Sequence, residues 1–484
     1  MQKNKLIHIA ARSGIRFGAL AAAITVAVLS SPLRAEDLSQ IYMDARQADP
    51  TLATADANRL ATKEGSPQAR AALLPQITGS YGYSRSDTGS NSSAPQLITI
   101  QNPDGTTSNQ YEVISSGEYV RNRSRPASVQ LNQSLFNWGN ITRLRSANAL
   151  SEGADYTYDA ASQDLLVRTA TAYFNVLTAE DQLTFSQLNE KSLQKQLDQA
   201  DERFKVGLSA ITDVHVARAQ HDAAVAQVIT AQNAVETARE GVVQIIGKNF
   251  GELKKLRDPI PLEKPAPADM QAWVDLAGKQ NPTLASAQKS VDSADYNIQT
   301  ARSGHFPSLN ATLQRQVTPG WGNSTYFGPG GAVEGPLHGN SVSGQTAIGV
   351  TLSIPIFSGG LVSSQTRQAV YQRDAAQDQL EFTRRTVNAN TRNAYRAVIA
   401  GISEVEAAKA AVVSAQSAVD ATQAGFEVGT KTILDVLTSQ STLLQAQSSY
   451  SQARHQFVLS GLQLKQAAGV MEAKDLEAVN ALLL

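Results

Sequence analysis

Two short segments of this 484-residue chain place charged side chains within otherwise uniform, helix-like sequence. The segment FEVGTKTILDV, residues 426–436, carries Lys431 and Asp435 after a Val-Gly pair. The segment FKVGLSAITDV, residues 204–214, carries Asp213 at the equivalent position, 222 residues earlier. Lysine and aspartate side chains at such places can join neighbouring helices through charge-assisted hydrogen bonds. They can also form an exposed i,i+4 pair that stabilises its own helix by about 0.2–0.5 kcal/mol. The residues alone leave both interpretations open.

Other residues that could do chemistry are sparse. The chain has no cysteine, which excludes disulfides, thiolate metal sites and cysteine nucleophiles, and its six histidines show no metal-binding spacing such as HExxH. The glycine-rich residues 320–340 lack the Gly-Lys-Ser/Thr of a phosphate-binding loop. His221 falls in the seam of a predicted coiled coil, where a hydrogen-bonded packing role is expected. We therefore expect no enzyme activity, no cofactor and no metal site.

The first 35 residues have the pattern of a secretory signal peptide. A basic start precedes an apolar run at residues 17–29, and the small residue Ala35 ends the segment; an uncleaved anchor is the alternative. Cleavage after Ala35 leaves 37 basic and 43 acidic side chains, a formal charge of −6, which argues against nucleic acid as a partner. No later segment has the ~20 consecutive apolar residues of a spanning helix. Such an exported protein is either soluble or crosses an outer membrane with strands.

The mature chain consists of two similar halves. The segments ADPTLATA and QNPTLASA place Pro50 and Pro282 at equivalent positions, 232 residues apart. A duplicated sequence of this kind predicts a duplicated structure. The expected segments are two repeats, residues 36–255 and 256–484, with residues 250–280 and 469–484 forming an equatorial region.

Each half contains the alternating pattern of β-strands. Between Ala347 and Ile356 every second residue is apolar, so all the apolar side chains share one face. We interpret the Ser-, Asn- and Gly-rich segments between such patterns as surface loops. The predicted strands have about the length of a tilted transmembrane strand and cover about residues 76–85, 120–136, 308–317 and 344–357.

The remaining sequence predicts long helices. Apolar or small residues recur in steps of three and four from Val214 to Ile245 and, shifted by 222, from Val436 to Ala467. This repeat is typical of coiled coils. At 1.5 Å per residue the first long helix would reach roughly 100 Å. The predicted long helices are about residues 140–206, 211–247, 361–427 and 432–468.

Four strands cannot close a barrel by themselves. Because an open sheet edge is not tolerated in lipid, several chains must contribute strands to one barrel. Three chains would supply twelve strands, an even number in the usual range, whereas two would supply eight, with an interior filled by side chains. Twelve long helices from three chains are too many for a solid core and would surround a lumen.

Several sequence segments, occurring in the same order, resemble the TolC family of outer-membrane efflux channels. The resemblance extends over the whole mature chain. The segments are ALLPQ, QSLFNWG, RFKVGLSAITDV, IPIFSGG and GFEVGTKTILDVL. The resemblance implies an α+β membrane protein with an internal two-fold repeat. It implies a homotrimer in which a 12-stranded β-barrel, four strands per chain, sits in outer-membrane lipid and continues as a long antiparallel α-helical coiled-coil barrel in the periplasm. The implied function is export of drugs or proteins with a periplasmic adaptor and an inner-membrane RND, ABC or MFS transporter.

The resemblance also implies roles for residues at the helix tips. Lys431 and the Thr212–Asp213 pair match groups that tie neighbouring helices together, and with Phe426 they would form a periplasmic gate latch. The helix-tip turns at Gly207 and Gly429 would dock the adaptor.

A constriction ring is implied at Asp435 and Thr438. Here the chain departs from the family twice, because Phe426 replaces a frequent tyrosine and Thr438 replaces a second acidic residue. We therefore expect a looser latch and a ring of three carboxylates.

A soluble periplasmic coiled-coil adaptor or structural protein is the alternative function. It would explain the helical hairpins but not four alternating strands with aromatic residues at their ends. A general porin would explain the strands but not helices of ~100 Å.

Overall fold

The computed structural model describes residues 36–328 and 333–484, so the predicted signal peptide lies outside the described residues. In chain order the helices are α1 Leu38–Ala48, α2 Pro50–Lys63, α3 Gly65–Ala71, α4 Trp138–Lys205, α5 Ile211–Ile246, α6 Met270–Gln280, α7 Pro282–Arg302, α8 Leu361–Glu427, α9 Ile433–Ala468 and α10 Ala473–Asn480. The strands are β1 Gln76–Tyr81, β2 Ser84–Gln101, β3 Thr107–Ser124, β4 Ala127–Phe136, β5 Ser308–Phe327 and β6 Val333–Ser353.

Within the described ranges, every helix is either too short or too polar to span a lipid bilayer.

The strands form one antiparallel sheet. β5 pairs with β6 on one side and with both β4 and β3 on the other, while β1 pairs with β4 and β2 with β3. Residues 82–83 alone separate β1 from β2, and residues 125–126 separate β3 from β4. The six strands therefore follow four paths, and β6 and the β1–β2 path form the two outer edges of the sheet.

The prediction that polar loops separate the strands was wrong. The segments interpreted as loops continue as strands, so that β2 reaches Gln101 and β5 reaches Phe327. Their alternation is hidden in the sequence because polar residues occupy both faces. Cross-strand hydroxyl pairs such as Ser93 Oγ and Ser115 Oγ, 2.9 Å apart, support the pairing instead.

The last predicted strand both begins and ends earlier than expected. It ends at Ser353 rather than near Phe357. Pro355 follows two residues later and has no backbone N–H to donate to a neighbouring strand.

The long helices form two antiparallel hairpins: the first hairpin is α4 with α5, and the second hairpin is α8 with α9. The predicted seam positions from Val214 to Ile245 are all buried or half-buried, as are those from Val436 to Ala467. His221 lies half-buried in the first seam with Nε2 3.3 Å from Glu190 Oε1. Contacts between α4 and α9 bring the two hairpins side by side.

The largest buried cluster surrounds the middle of α4, and we call it the collar. Tyr173 and Phe174 are fully buried there, and the Tyr173 hydroxyl donates to the Lys254 carbonyl at 2.8 Å. Residues 38–52, 250–260 and 471–483 thereby pack against the long helices at one level. The collar comprises Leu38, Ile41, Ala45, Leu52, Leu165, Leu166, Val167, Ala170, Tyr173, Phe174, Val176, Leu177, Val242, Ile246, Phe250, Leu253, Leu256, Ile260, Val458, Leu459, Leu462, Met471, Leu476, Val479 and Leu483.

Candidate functional site

The two hairpins end in the same kind of turn. We call residues 203–213 the first tip and residues 425–435 the second tip. Gly207 and Gly429 have φ of 77° and 79°, a region that side chains with a Cβ rarely adopt. In the first tip the N–H of residue 208 donates to the carbonyl of residue 203, and in the second the N–H of residue 430 donates to that of residue 425, both at 2.8 Å. These are Schellman-type helix ends, which reverse the chain in a few residues.

The return helix of the second tip begins with a capping box. The Asp435 carboxylate oxygen Oδ2 accepts from the Thr432 N–H and from the Thr432 hydroxyl, each at 2.9 Å, while the Asp435 N–H donates to Thr432 Oγ1 at 3.2 Å. The Thr432 N–H, then its hydroxyl and the charge of Lys431 hold the pKa of Asp435 below its usual value. Asp435 is therefore ionised at neutral pH and fixed at the start of α9.

The first tip lacks this cap. Ala210 stands at the N-cap of α5 and offers no side-chain acceptor. The Asp213 carboxylate instead accepts from the Ser209 hydroxyl at 2.6 Å, and its neighbour Thr212 is exposed. The two equivalent aspartates therefore make different local contacts.

Lys431 does not form the i,i+4 helical pair with Asp435 that the sequence left open. It precedes the N-cap residue Thr432, so the two charges do not share a helical turn. Within residues 36–328 and 333–484, no carboxylate oxygen lies within 4.0 Å of the Lys431 ammonium nitrogen. In the same ranges, no charged nitrogen lies within 4.0 Å of the Asp213 carboxylate. One chain by itself therefore does not bring the predicted latch groups together. Thr438, one turn beyond Asp435 on α9, is exposed.

Phe426 is a predicted latch residue that packs against a buried cluster of its own chain. Its ring packs against a cluster of four buried residues from both hairpins, Leu193, Ala224, Ile433 and Leu437. The guanidinium of Arg203 lies over this ring, with Cζ 4.6 Å from the ring centroid. The sequence reasoning missed Arg203, because a contact between residues 223 positions apart leaves no local pattern.

Between the collar and the tips, polar side chains join α4 to the second hairpin. The Ser451 hydroxyl donates to Asp181 at 2.5 Å, and Gln196 Nε2 donates to Gln423 Oε1 at 3.1 Å. Hydrogen bonds of this kind contribute only about 1 kcal/mol net. The same region holds further pairs between Thr178 and His455, Gln182 and Ser448, and Ser192 and Gln440. No cluster of three or more His, Asp or Glu side chains suited to a metal occurs in the described part of the chain.

Comparison with known proteins agrees with this architecture. The family model described as "Outer membrane efflux protein" matches residues 41–248 and 273–470. The chain is 37% identical over 463 residues to outer membrane protein TolC of Escherichia coli, covering 94% of this chain and 87% of the relative. It is 26% identical over 445 residues to alkaline protease secretion protein AprF of Pseudomonas aeruginosa, covering 91% and 86%.

Solved structures share the fold at low sequence identity. The Campylobacter jejuni CmeC outer membrane channel superposes with a TM-score of 0.69 at 18% identity, covering 93% of this chain and 90% of that one. Outer membrane protein VceC from Vibrio cholerae gives 0.66 at 18%, covering 89% and 96%. The family resemblance inferred from the strand and tip segments is thus confirmed. The chain belongs to the outer membrane efflux protein family, whose members are export channels of the outer membrane and not enzymes.

Proposed function

We propose that this protein is a homotrimeric channel-tunnel. The strands of three chains close a 12-stranded barrel in outer-membrane lipid, and their hairpins form a periplasmic tunnel that is closed at the tips and opens by helix rearrangement. As a member of its family, the protein exports drugs or proteins together with a periplasmic adaptor and an inner-membrane transporter.

The observation that carries the proposal is the open, apolar edge of the sheet. On the edge strand β6, Ile348, Val350 and Leu352 are 81%, 63% and 59% exposed on one face. An apolar face of this kind is suited to contact with lipid. The unpaired backbone N–H and C=O groups at the edge of the sheet are not tolerated in lipid. Pairing the β6 edge of one chain with the β1–β2 edge of the next satisfies both. With four strand paths per chain, three copies supply the twelve strands expected from the family.

The proposed gate uses groups from neighbouring chains. Lys431 is exposed at the second tip, and the Thr212–Asp213 pair lies at the first tip, at the same end of the hairpins. A lysine from one chain and a carboxylate from the next would form a charge-assisted bond when the tips converge. Lysine offers no planar fork for a bidentate bond, so we expect this latch to be weak.

The proposed constriction is formed by Asp435, with Thr438 one turn further along α9. The Asp435 carboxylate accepts two capping hydrogen bonds, and both end on Oδ2. Its other oxygen, Oδ1, takes no part in the cap. The carboxylate is charged at neutral pH, and its lowered pKa extends that charge to more acidic conditions. Three such carboxylates around an axis would favour cations over anions.

The turns at Gly207 and Gly429 are the proposed docking points for the adaptor. The flanking side chains Val206, Leu208 and Val428 are 67%, 72% and 75% exposed. Exposed apolar residues at the end of a long polar coiled coil favour contact with another protein. An RND, ABC or MFS transporter would supply the energy for export. The substrates that this transporter selects would determine which substrates pass through the tunnel.

Single-channel conductance of the mature protein in a planar bilayer tests this function. We expect a small, cation-selective conductance that rises in Lys431→Ser, because the latch between chains is lost. Lys409→Ser is the matched control, since it removes an exposed lysine of the same helix pair far from the tip. Folded trimers that never conduct would overturn the channel. A conducting wild type that Lys431→Ser leaves unchanged would keep the channel and remove the lysine from its gate.

A further inference from the structure

Arg203, in the last turn of α4, reaches from the first hairpin to the second. Its guanidinium carbon lies 4.6 Å from the centroid of the Phe426 ring. Its Nη1 also lies 3.5 Å from the carbonyl oxygen of Phe426, at the long end of hydrogen-bonding distance. One guanidinium therefore contacts both the ring face and the backbone of a single residue in the last turn of α8.

Phe426 offers a fixed target for this cation. Its ring packs against the tip cluster, which includes Leu193 of α4 and Ile433 of α9. Its carbonyl already accepts the Gly429 N–H at 3.1 Å within the tip turn. A cation at this place also faces the partial negative charge at the carboxyl end of α8. Ring, carbonyl and helix end thus attract the same guanidinium.

The neighbouring cation is used differently. Lys205 binds carboxylates of its own helix, Asp201 at 2.7 Å and Glu202 at 2.9 Å. For Arg203, no carboxylate oxygen lies within 4.0 Å among the residues that the structure describes. The contacts of Arg203 with Phe426 therefore run between hairpins, whereas the ion pairs of Lys205 stay within one helix.

We propose that Arg203 holds the two hairpins of one chain together at the tip, through the ring and carbonyl of Phe426. The inference rests on the proposed function, in which the converged tips close the tunnel. Separation of the hairpins breaks both contacts, so Arg203 shifts the balance toward the closed state. A cation–π contact at a partly exposed site changes such a balance by about 3- to 5-fold. The ring of phenylalanine is sufficient for this cation–π contact. The contact between the hairpins therefore does not need the hydroxyl of the tyrosine that is frequent at this position in the family.

Single-channel recordings of Arg203→Gln, Phe426→Leu and the double variant test the proposal. Arg203→Gln is expected to raise the open-to-closed ratio about 3- to 5-fold, and Phe426→Leu by less, because residue 426 keeps the carbonyl that faces Arg203. The double variant should match Arg203→Gln, because both changes remove the same ring contact. Arg203→Lys keeps the charge but loses the planar guanidinium, so its open-to-closed ratio should fall between those of wild type and Arg203→Gln. Lys205→Gln is the matched control and should conduct as wild type does.

Two results would overturn the role of Arg203 and leave the tunnel intact. One is an Arg203→Gln channel that matches wild type while Lys431→Ser opens. The other is strictly additive effects in the double variant. A wild-type protein that forms no channel removes both the tunnel and this inference.

Amide hydrogen exchange gives a second test that needs no channel activity. In Arg203→Gln, residues 203–208 and 425–431 should exchange faster together, while the collar stays as protected as in wild type. Unchanged exchange at both tips contradicts the proposal. Faster exchange in the collar as well would show a general folding defect and would equally count against it.

Discussion

The long helices are held in very different ways at their middle and at their tips. In the collar, Phe174 is fully buried in a cluster that draws residues from six helices and from the connecting residues 250–260. At the tips, Phe426 is only half-buried, against a cluster of four residues. The 29 residues from Phe174 to Arg203, which contacts Phe426, correspond to about 44 Å along α4. Because buried apolar area supplies most of the stabilisation, the tips can separate while the collar stays intact. The collar is therefore the fixed end about which the hairpins would move.

Replacing each phenylalanine by alanine measures this difference directly. Phe174→Ala removes a fully buried ring and is expected to lower the free energy of unfolding by about 3–5 kcal/mol. Phe426→Ala removes a half-buried ring and should cost roughly 1–2 kcal/mol. Denaturant unfolding followed by helical circular dichroism compares the two. Equal losses would mean that the tips are as firmly packed as the collar, and the fixed-end interpretation would fail.

The edge of the collar also carries a buried histidine that should make stability depend on pH. His455 is 3% exposed, and burial lowers its pKa to about 4, with Arg454 adding to the effect and Asp181 opposing it. Between about pH 6.5 and pH 4 the unfolded chain binds a proton that the folded chain does not. Stability is therefore full above pH 6.5 and falls as the pH drops through this window, by roughly 3 kcal/mol at most.

Unfolding at pH 7 and pH 4.5 checks this prediction with His455→Gln, which cannot titrate. The variant should lose less stability on acidification than wild type. His305→Gln replaces an exposed histidine and should keep the wild-type loss. If His455→Gln and wild type respond alike, then acid acts elsewhere and the collar is not the pH-sensitive part.

The sequence predicted the regular parts of this molecule better than its contacts between distant segments. The seam from Val214 was predictable because a sustained three-four spacing has one structural meaning. The outer strands around Ser93 were not, since polar residues on both faces remove the alternation that marks a strand. The contact of Arg203 with Phe426 depends on how two hairpins approach each other, which no local pattern encodes. The comparisons confirm the family but test none of the latch residues, so these stay predictions.

The capping box at Thr432 and Asp435, by contrast, was within reach of the sequence. A threonine followed three residues later by an acidic residue, ahead of an apolar helix, is its usual pattern. In the first tip the same spacing ends in Asp213 but starts with Ala210, so the box is missing. The two tips share a turn, and they differ in the residue that begins the return helix.

Exchanging the caps tests whether this difference sets the stability of each tip. Thr432→Ala should weaken the start of α9 by about 1 kcal/mol, and Ala210→Thr should strengthen the start of α5 by a similar or smaller amount. Amide exchange at the first turns of α5 and α9 is the measurement, because effects this small and local would be lost in global unfolding. In wild type the capped second tip should be the better protected of the two. When both changes are combined, we expect the first tip to gain protection relative to the second. If the order does not move, contacts between the hairpins, with Arg203 among them, outweigh the caps. The tips would then loosen as a pair, and a channel that opens there would need to break the link between hairpins before either helix start unravels.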